Sequence, residues 1–535
     1  MAAQRSVTAP SPPDGRGAER LPQRPRRKDF AALGSVAAAY ALAQMAFMAP
    51  GTGLGWDETV YVSQVSPDTP AAFFSAPRAR GISYLVAPLV ALTPSVPALR
   101  VFLALLSAAG LLAALWAWRR LVPLRALTLA GALFAGLWVS LFYGPQAMPN
   151  LWVAIAALAA TGCVLRAARD PGDRLALAGI AVAVAIAALM RPSDAVWLVL
   201  PTACATALLP GPRKPARLAA LAAGAALGAA PWIVEARLHY GGLLARLHRA
   251  GEIQGGLGWS PSFSDHLRAL GGRTLCRPCD IPWTQPVTSL WWLSLPLFAA
   301  AGVAIAYRSG RTPGRATAVA AVTGLSMAAP YLLFVGYAAP RFLLPAYALL
   351  SLPVAVALAR LFAAARSKPV LFGTLCLALA AHLTLQLMIT AQLAARSRTA
   401  QAAFGAVADA LRRQGMRTPC VVSGEEAVRV GFRTGCASRQ LYGGHDGSIS
   451  AAALAALART RPTAVLVAGR APVPAWARTW RPYELPELPG TNGYRAYLSP
   501  AARPDSPATG TRPGPESGGR SGPGAVKPGG SGFRG

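Results

Sequence analysis

Two adjacent carboxylates, Asp57 and Glu58, stand in the run Gly55-Trp56-Asp57-Glu58-Thr59-Val60-Tyr61, directly after the first long apolar stretch. At the mouth of a membrane cavity a carboxylate serves as a general base, provided an acceptor hydroxyl lies within hydrogen-bond reach. The bland alternative is an interfacial turn in which Asp57 caps the short helix that follows. Four arginines share the neighbourhood. Arg78 and Arg80 lie downstream on the same loop, Arg191 separates two apolar stretches in Met190-Arg191-Pro192, and Arg341 opens a late one in Pro340-Arg341-Phe342-Leu343-Leu344-Pro345. A charge at the membrane edge is a functional candidate by default, and the guanidinium fork fits a pair of phosphate oxygens. Snorkelling to the interface would account for each arginine taken singly.

The elements that must position these side chains are membrane helices. Of 535 residues, 54% are hydrophobic and 14% charged, with a mean hydropathy of +0.39. A soluble domain carries roughly a quarter charged residues, so a soluble enzyme, a coiled coil and a mostly disordered chain are excluded. The formal charge of +31 would point to nucleic acid, but the basic residues fall in small groups between apolar runs. That is the pattern of cytoplasmic loops, and no nucleic-acid partner is expected.

A span needs about 20 mostly apolar residues. The first runs from Phe30 to about Pro50 behind Arg24, Arg26, Arg27 and Lys28. It is longer than the apolar region of a signal peptide and is read as a retained span with its N-terminus inside. Ten more candidates follow at 98–118, 126–143, 149–166, 174–190, 193–209, 217–234, 288–307, 316–337, 341–362 and 369–390. Three basic residues recur in each loop assigned inside, such as Arg119, Arg120 and Arg125, or Arg360, Arg366 and Lys368. The expected architecture is therefore a mainly α, polytopic cell-membrane protein of about eleven spans. Its large outside loops are 51–97 and 235–287 within a membrane domain over 30–390. Ile82 to Thr93 is too short to span and suits an interfacial helix. Residues 391–500 alternate strand-like and helical runs, which predicts a small external α/β domain. The basic cytoplasmic segment 1–29 and the Gly- and Pro-rich tail 501–535 are expected to be disordered.

Cys163, Cys204 and Cys376 lie in spans, whereas Cys276, Cys279, Cys420 and Cys436 fall outside, where oxidation is feasible. Four cysteines allow three pairings. Cys276–Cys279 and Cys420–Cys436 are favoured because each pair sits within one segment. Zinc would need two more ligands, and His266 with Asp280 is a weak completion.

The acidic pair after span one, the first external loop with its interfacial helix, and the Arg-aromatic-Leu-Leu-Pro opening of a late span together resemble the GT-C glycosyltransferases. The resemblance is strongest to the protein O-mannosyltransferase and aminoarabinose-transferase branch, and covers about residues 30–395. It implies a hexosyl- or pentosyltransferase taking its sugar from a polyprenyl-phosphate donor to a protein, lipid or glycan acceptor on the outer face. It also implies Asp57 as catalytic base, Glu58 as its neighbour or a metal contact, and Arg341 as the donor-phosphate binder, with Arg191, Arg78 and Arg80 around the phosphate. Mg²⁺ or Mn²⁺ dependence stays open, since two carboxylates alone make a poor oxygen cage. Trp291-Trp292 lacks the acid of the oligosaccharyltransferase Trp-Trp-Asp motif and reads as interfacial packing. Gly224-x-x-x-Gly228 reads as helix packing, and His239 and His248 as solvated surface. Two other classes compete: a transporter or lipid flippase, which would carry ionisable groups or broken helices at mid-membrane, and a non-catalytic relative that keeps the fold for cell-envelope assembly.

Overall fold

The computed structural model describes residues 27–208, 213–256, 258–277, 279–280, 282–283, 285–442 and 447–504. Most of the two terminal segments expected to be disordered lies outside the described residues. The chain opens with α1 (Arg27–Met48), and the loop after it carries α2 (Trp56–Ser63) and α3 (Gly81–Val90). Then come α4 (Val96–Trp118), α5 (Leu124–Gly136), α6 (Trp138–Tyr143), α7 (Pro149–Arg169), α8 (Arg174–Met190), α9 (Pro192–Leu208) and α10 (Lys214–His239). The second large loop holds α11 (Leu243–Ile253) and α12 (Phe263–Ala269), and the bundle closes with α13 (Leu290–Ser309), α14 (Arg311–Leu333), α15 (Leu344–Ala365) and α16 (Pro369–Arg413).

Eight of these helices, α1, α4, α7, α10 and α13 to α16, are long and apolar enough to cross a membrane. The other expected spans fall on shorter helices. α8 and α9 have 17 residues each, the lower end of a spanning length. The stretch 126–143 is broken at Leu137, whose extended backbone separates α5 from α6. A broken helix in an apolar setting must re-satisfy its freed donors. Here Gln386 of α16 accepts the Trp138 N–H at 2.9 Å.

Packing places α7 and α15 at the centre, because 83% of the apolar window of each is buried against 6% for α16. The Gly224 and Gly228 faces bring α10 onto the backbone of α8, and a Cβ there would stand 2.5 Å from the Ala181 carbonyl and 2.2 Å from that of Ala185. Along α16, Val370, Leu377 and Met388 are exposed, a greasy face suited to lipid.

The C-terminal unit is α/β: β1 (Val421–Gly424), α17 (Ala427–Thr434), β2 (Ala437–Ser438), α18 (Ala451–Leu457), β3 (Thr463–Ala468), β4 (Arg481–Glu484) and β5 (Tyr494–Leu498). Strand order is β2-β1-β3-β5-β4, with β2, β1 and β3 parallel and β5 antiparallel to both its neighbours. Its core joins Val422, Leu466 and Leu498 to Phe404, Val407 and Leu411 of α16. The expected boundary at 391 therefore falls inside one 45-residue helix. No glycine or proline interrupts it from Thr374 to Phe404, and its last turns are needed to cover the sheet.

Candidate active site

The site is assembled around the first turn of α2. Glu58 reaches back to accept the Gly55 N–H at 2.9 Å, the reciprocal half of a capping box. It also accepts the Ala147 N–H at 2.8 Å and a two-pronged ion pair from Arg100, with Nη2 at 2.9 Å. Arg100 and Glu58 are 1% and 2% exposed, and Arg100 also donates to the carbonyls of Gly53 and Pro145. This buried clamp fixes the start of α2 and turns Glu58 away from the cavity mouth. Asp57 does not cap the helix; Gly55 is the cap residue.

One residue back, Asp57 points the other way. Its Oδ1 accepts from Arg78 Nη2 at 2.7 Å and its Oδ2 from Arg341 Nη2 at 3.2 Å. Arg78 lies over Trp56 and Tyr61, 5.3 and 5.2 Å from the ring centroids, and donates to Ser75 Oγ. Arg341 donates to the Thr274 carbonyl at 2.9 Å and lies over Tyr143, 5.8 Å from the ring centroid. Burial works to raise the Asp57 carboxyl, but the guanidiniums of Arg78 and Arg341 outweigh it and hold the group below the usual carboxylate range. Asp57 is thus an ionised carboxylate, still 32% exposed, between two cations.

Arg191 stands nearby and adds to the field that keeps Asp57 charged. Its Nε is 3.0 Å from Asp194, and its Nη2 donates to the Tyr331 hydroxyl at 2.7 Å. That hydroxyl donates in turn to Asp194. Arg80 is committed to Glu235 at 2.8 Å and to Gln64. Glu235 also takes Arg246, a fully buried side chain between Trp232 and Tyr240 that donates to the carbonyls of Ala76, Trp232 and Arg78. The structure therefore brings Asp57, Arg78 and Arg341 into contact, sets Arg191 beside them, leaves Arg80 at the periphery and faces Glu58 inward.

Arg100, Arg246, Glu235, Asp194 and Tyr143 were not singled out by type and spacing. Arg100 had a signal, a charge in the first turn of an apolar span, which calls for a partner. Asp194 stands three residues from Arg191, a helical pairing distance. Arg246 and Glu235 looked like ordinary loop and helix-end charges.

Cys276 is joined to Cys279, and Cys420 to Cys436. The first link begins two residues after Thr274, and Cys276 exchanges backbone hydrogen bonds with Ala338, just ahead of Arg341. Neither His266 nor Asp280 completes a zinc set. His266 faces the Tyr331 carbonyl at 3.3 Å, and burial pushes its imidazole down to about 4, so it is neutral. A divalent cation also fits Asp57 and Glu58 badly, because guanidiniums and backbone N–H groups already engage their oxygens. Among the described residues no group of three His, Cys, Asp or Glu could hold a metal ion.

Two hollows open between the elements described above, the first of them beside Gly55 and Thr274. A polar cavity of about 720 Å³ is bounded by Gly55, Thr274, Trp283 and Gln285, and by Arg396 and Gln401 of α16. An apolar groove of about 490 Å³ runs between α5, α13, α15 and α16, lined by Leu133, Trp291, Tyr347 and His382. Trp291 of the double tryptophan packs edge-on against Tyr347 and His382 in this groove.

Fold and site together define a multi-pass helical membrane protein with a cluster of arginines and carboxylates at one end of its helices. In particular, the fold is that of the aminoarabinose transferase ArnT from Cupriavidus metallidurans. The structure of ArnT bound to undecaprenyl phosphate superimposes with a TM-score of 0.61 at 13% identity, covering 89% of this chain and 99% of that one. Apo ArnT gives 0.56 at 12% identity over the same shares. The oligosaccharyltransferase of Archaeoglobus fulgidus, at 0.49 and 12% identity over 75% of this chain and 62% of that one, is too distant to carry argument. No protein-family model and no curated protein sequence matches the chain.

Proposed function

We propose that the protein is an integral-membrane glycosyltransferase that moves a sugar from a polyprenyl-phosphate donor to an acceptor hydroxyl on the outer face of the cell membrane. The observation that carries this reading is the ion triplet Arg78–Asp57–Arg341, a partly exposed carboxylate held between two phosphate-compatible forks. The ArnT fold supports it, since that relative was solved with undecaprenyl phosphate bound. The apolar groove suits an isoprenoid tail, and the polar cavity suits the acceptor.

In this reading the donor phosphate competes with Asp57 for Arg78 and Arg341. As the guanidiniums turn to phosphate, the carboxylate loses the field that depressed its proton affinity and becomes a better base. Asp57 then takes the acceptor's proton while the oxygen attacks the anomeric carbon, and the arginines stabilise the departing lipid phosphate. One base without a covalent nucleophile gives direct displacement and inversion. Glu58 acts as a positioning residue through its clamp on Arg100 and Gly55. No divalent ion is assigned to the carboxylates.

The test incubates membranes holding equal amounts of wild type, Asp57→Asn and Arg341→Ala with radiolabelled polyprenyl-phosphate sugars. It follows which label moves, to what, and with which stereochemistry. Strongly reduced transfer in both variants, with measurable residual activity in Arg341→Ala and an inverted wild-type product, is expected. Full activity of Asp57→Asn, or retention of configuration, would overturn the mechanism.

A further inference from the structure

At the end of the bundle opposite Asp57, the C-termini of α4 and α7 meet the N-termini of α1 and α14 around a depression of about 670 Å³. Arg119, Arg120, Arg169 and Arg311 line it, and Asp29 is the one acid among its described lining. Two of these cations are held by neutral groups. Arg119 donates to the Trp116 carbonyl at 2.8 Å and stacks 4.4 Å over that ring, and Arg169 donates to the Arg120 carbonyl at 2.9 Å. The side chains of Arg120 and Arg311 have no hydrogen-bond or ion-pair partner among the described residues. Burial, then the like charges of Arg166 and Arg120, lowers the Arg119 proton affinity. A positive-inside bias places basic residues at one membrane face; it does not require four helix ends to converge on one hollow with a single carboxylate among its described lining.

We propose that this hollow binds the phosphate head group of an anionic membrane phospholipid, at a site separate from the transferase centre and independent of that reading. Basic pockets between membrane helices at head-group depth are suited to such lipids. The apolar flank decides for a lipid over a soluble anion. Phe30, next to Asp29, is 59% exposed and packs edge-on against Trp116, so an acyl chain leaving the hollow would meet it.

The test titrates the purified full chain in detergent with phosphatidylglycerol, phosphatidylcholine or inorganic phosphate, reading the thermal midpoint and bound lipid by native mass spectrometry. Phosphatidylglycerol alone is expected to bind and stabilise. Arg120→Gln with Arg311→Gln should weaken its binding about thirtyfold, the effect of two basic residues at a lipid surface. The pair Arg120→Lys with Arg311→Lys should bind within a few-fold of wild type, which separates lost charge from a lost fold. Equal stabilisation by inorganic phosphate would overturn the lipid assignment. Undiminished phosphatidylglycerol binding by the glutamine pair would overturn the site.

Discussion

Asp57 and Glu58 are neighbours with opposite surroundings, because one helical step turns successive side chains by about 100°. Glu58 meets Arg100 and two backbone N–H groups in a buried clamp; Asp57 meets Arg78 and Arg341 at the cleft. Asp57→Asn is expected to lower transfer about 100- to 10,000-fold with the thermal midpoint unchanged. Glu58→Gln breaks a buried ion pair, which costs about 3–5 kcal/mol, and should appear first as a lower thermal midpoint. A pH profile tests the field around the base. Asp57 must be ionised to accept a proton, and two guanidiniums depress its carboxyl, so activity fails only at a pH below the usual carboxylate range. Arg341→Ala removes one of them, and the acid limb of kcat/KM should then move to higher pH. Arg341→Lys should not recover full donor affinity, because an ammonium lacks the planar fork. An unshifted acid limb in Arg341→Ala would show that another group sets it. The adjacency of the two carboxylates was legible in the sequence. Which of them is pinned was not, because Arg100 lies 42 positions away and only the packing of α4 beside α2 brings it there.

Among the elements, the segment running from Thr274 into the Cys276–Cys279 link is the one that aims Arg341, through the Thr274 carbonyl and the backbone bridge from Cys276 to Ala338. Cys276→Ser with Cys279→Ser loosens that carbonyl, so KM for the donor should rise several-fold more than kcat falls. A uniform loss of folded protein instead would make the link merely structural. The α8–α10 contact predicts a different failure. In Gly228→Val the new side chain meets the Ala185 carbonyl, and overpacking of this kind costs about 1–3 kcal/mol, measurable as a drop in thermal midpoint. The apolar spans, the interfacial helix and the longer strands announced themselves by hydropathy and alternation. The break at Leu137 did not, since its residues are as apolar as their neighbours and the group that satisfies its freed N–H is Gln386, on a distant helix. β2 and β4 were equally silent. One has two residues, and the other, Arg481–Glu484, is a polar edge without alternation.

For the whole molecule, the recurrence of three basic residues in alternate loops predicts that the N-terminus and the Asp57 face lie on opposite sides of the membrane. A reporter active only in the cytoplasm, fused after Pro500, should stay silent; a signal there would invert every side assigned above. The class of the molecule was legible because a bilayer imposes length and apolarity on each crossing. The position of the α/β unit was not, because Arg396, Ser397, Arg398 and Thr399 mark where the apolar run ends but contain no glycine or proline to stop the helix there. It continues, and α16 is consequently a rod about 68 Å long, rooted in the apolar layer and ending inside the core of the sheet. Arg396, Gln401 and Phe404 ride on it as one wall of the polar cavity. With about 1.5 Å of rise per residue, Phe404 stands roughly 50 Å from Pro369. A tilt of about 10°, within the range by which spans adjust to bilayers of different thickness, would sweep that wall sideways by roughly 9 Å. Bilayer thickness would thus become a mechanical input to the width of that cavity, the one proposed above to receive the acceptor.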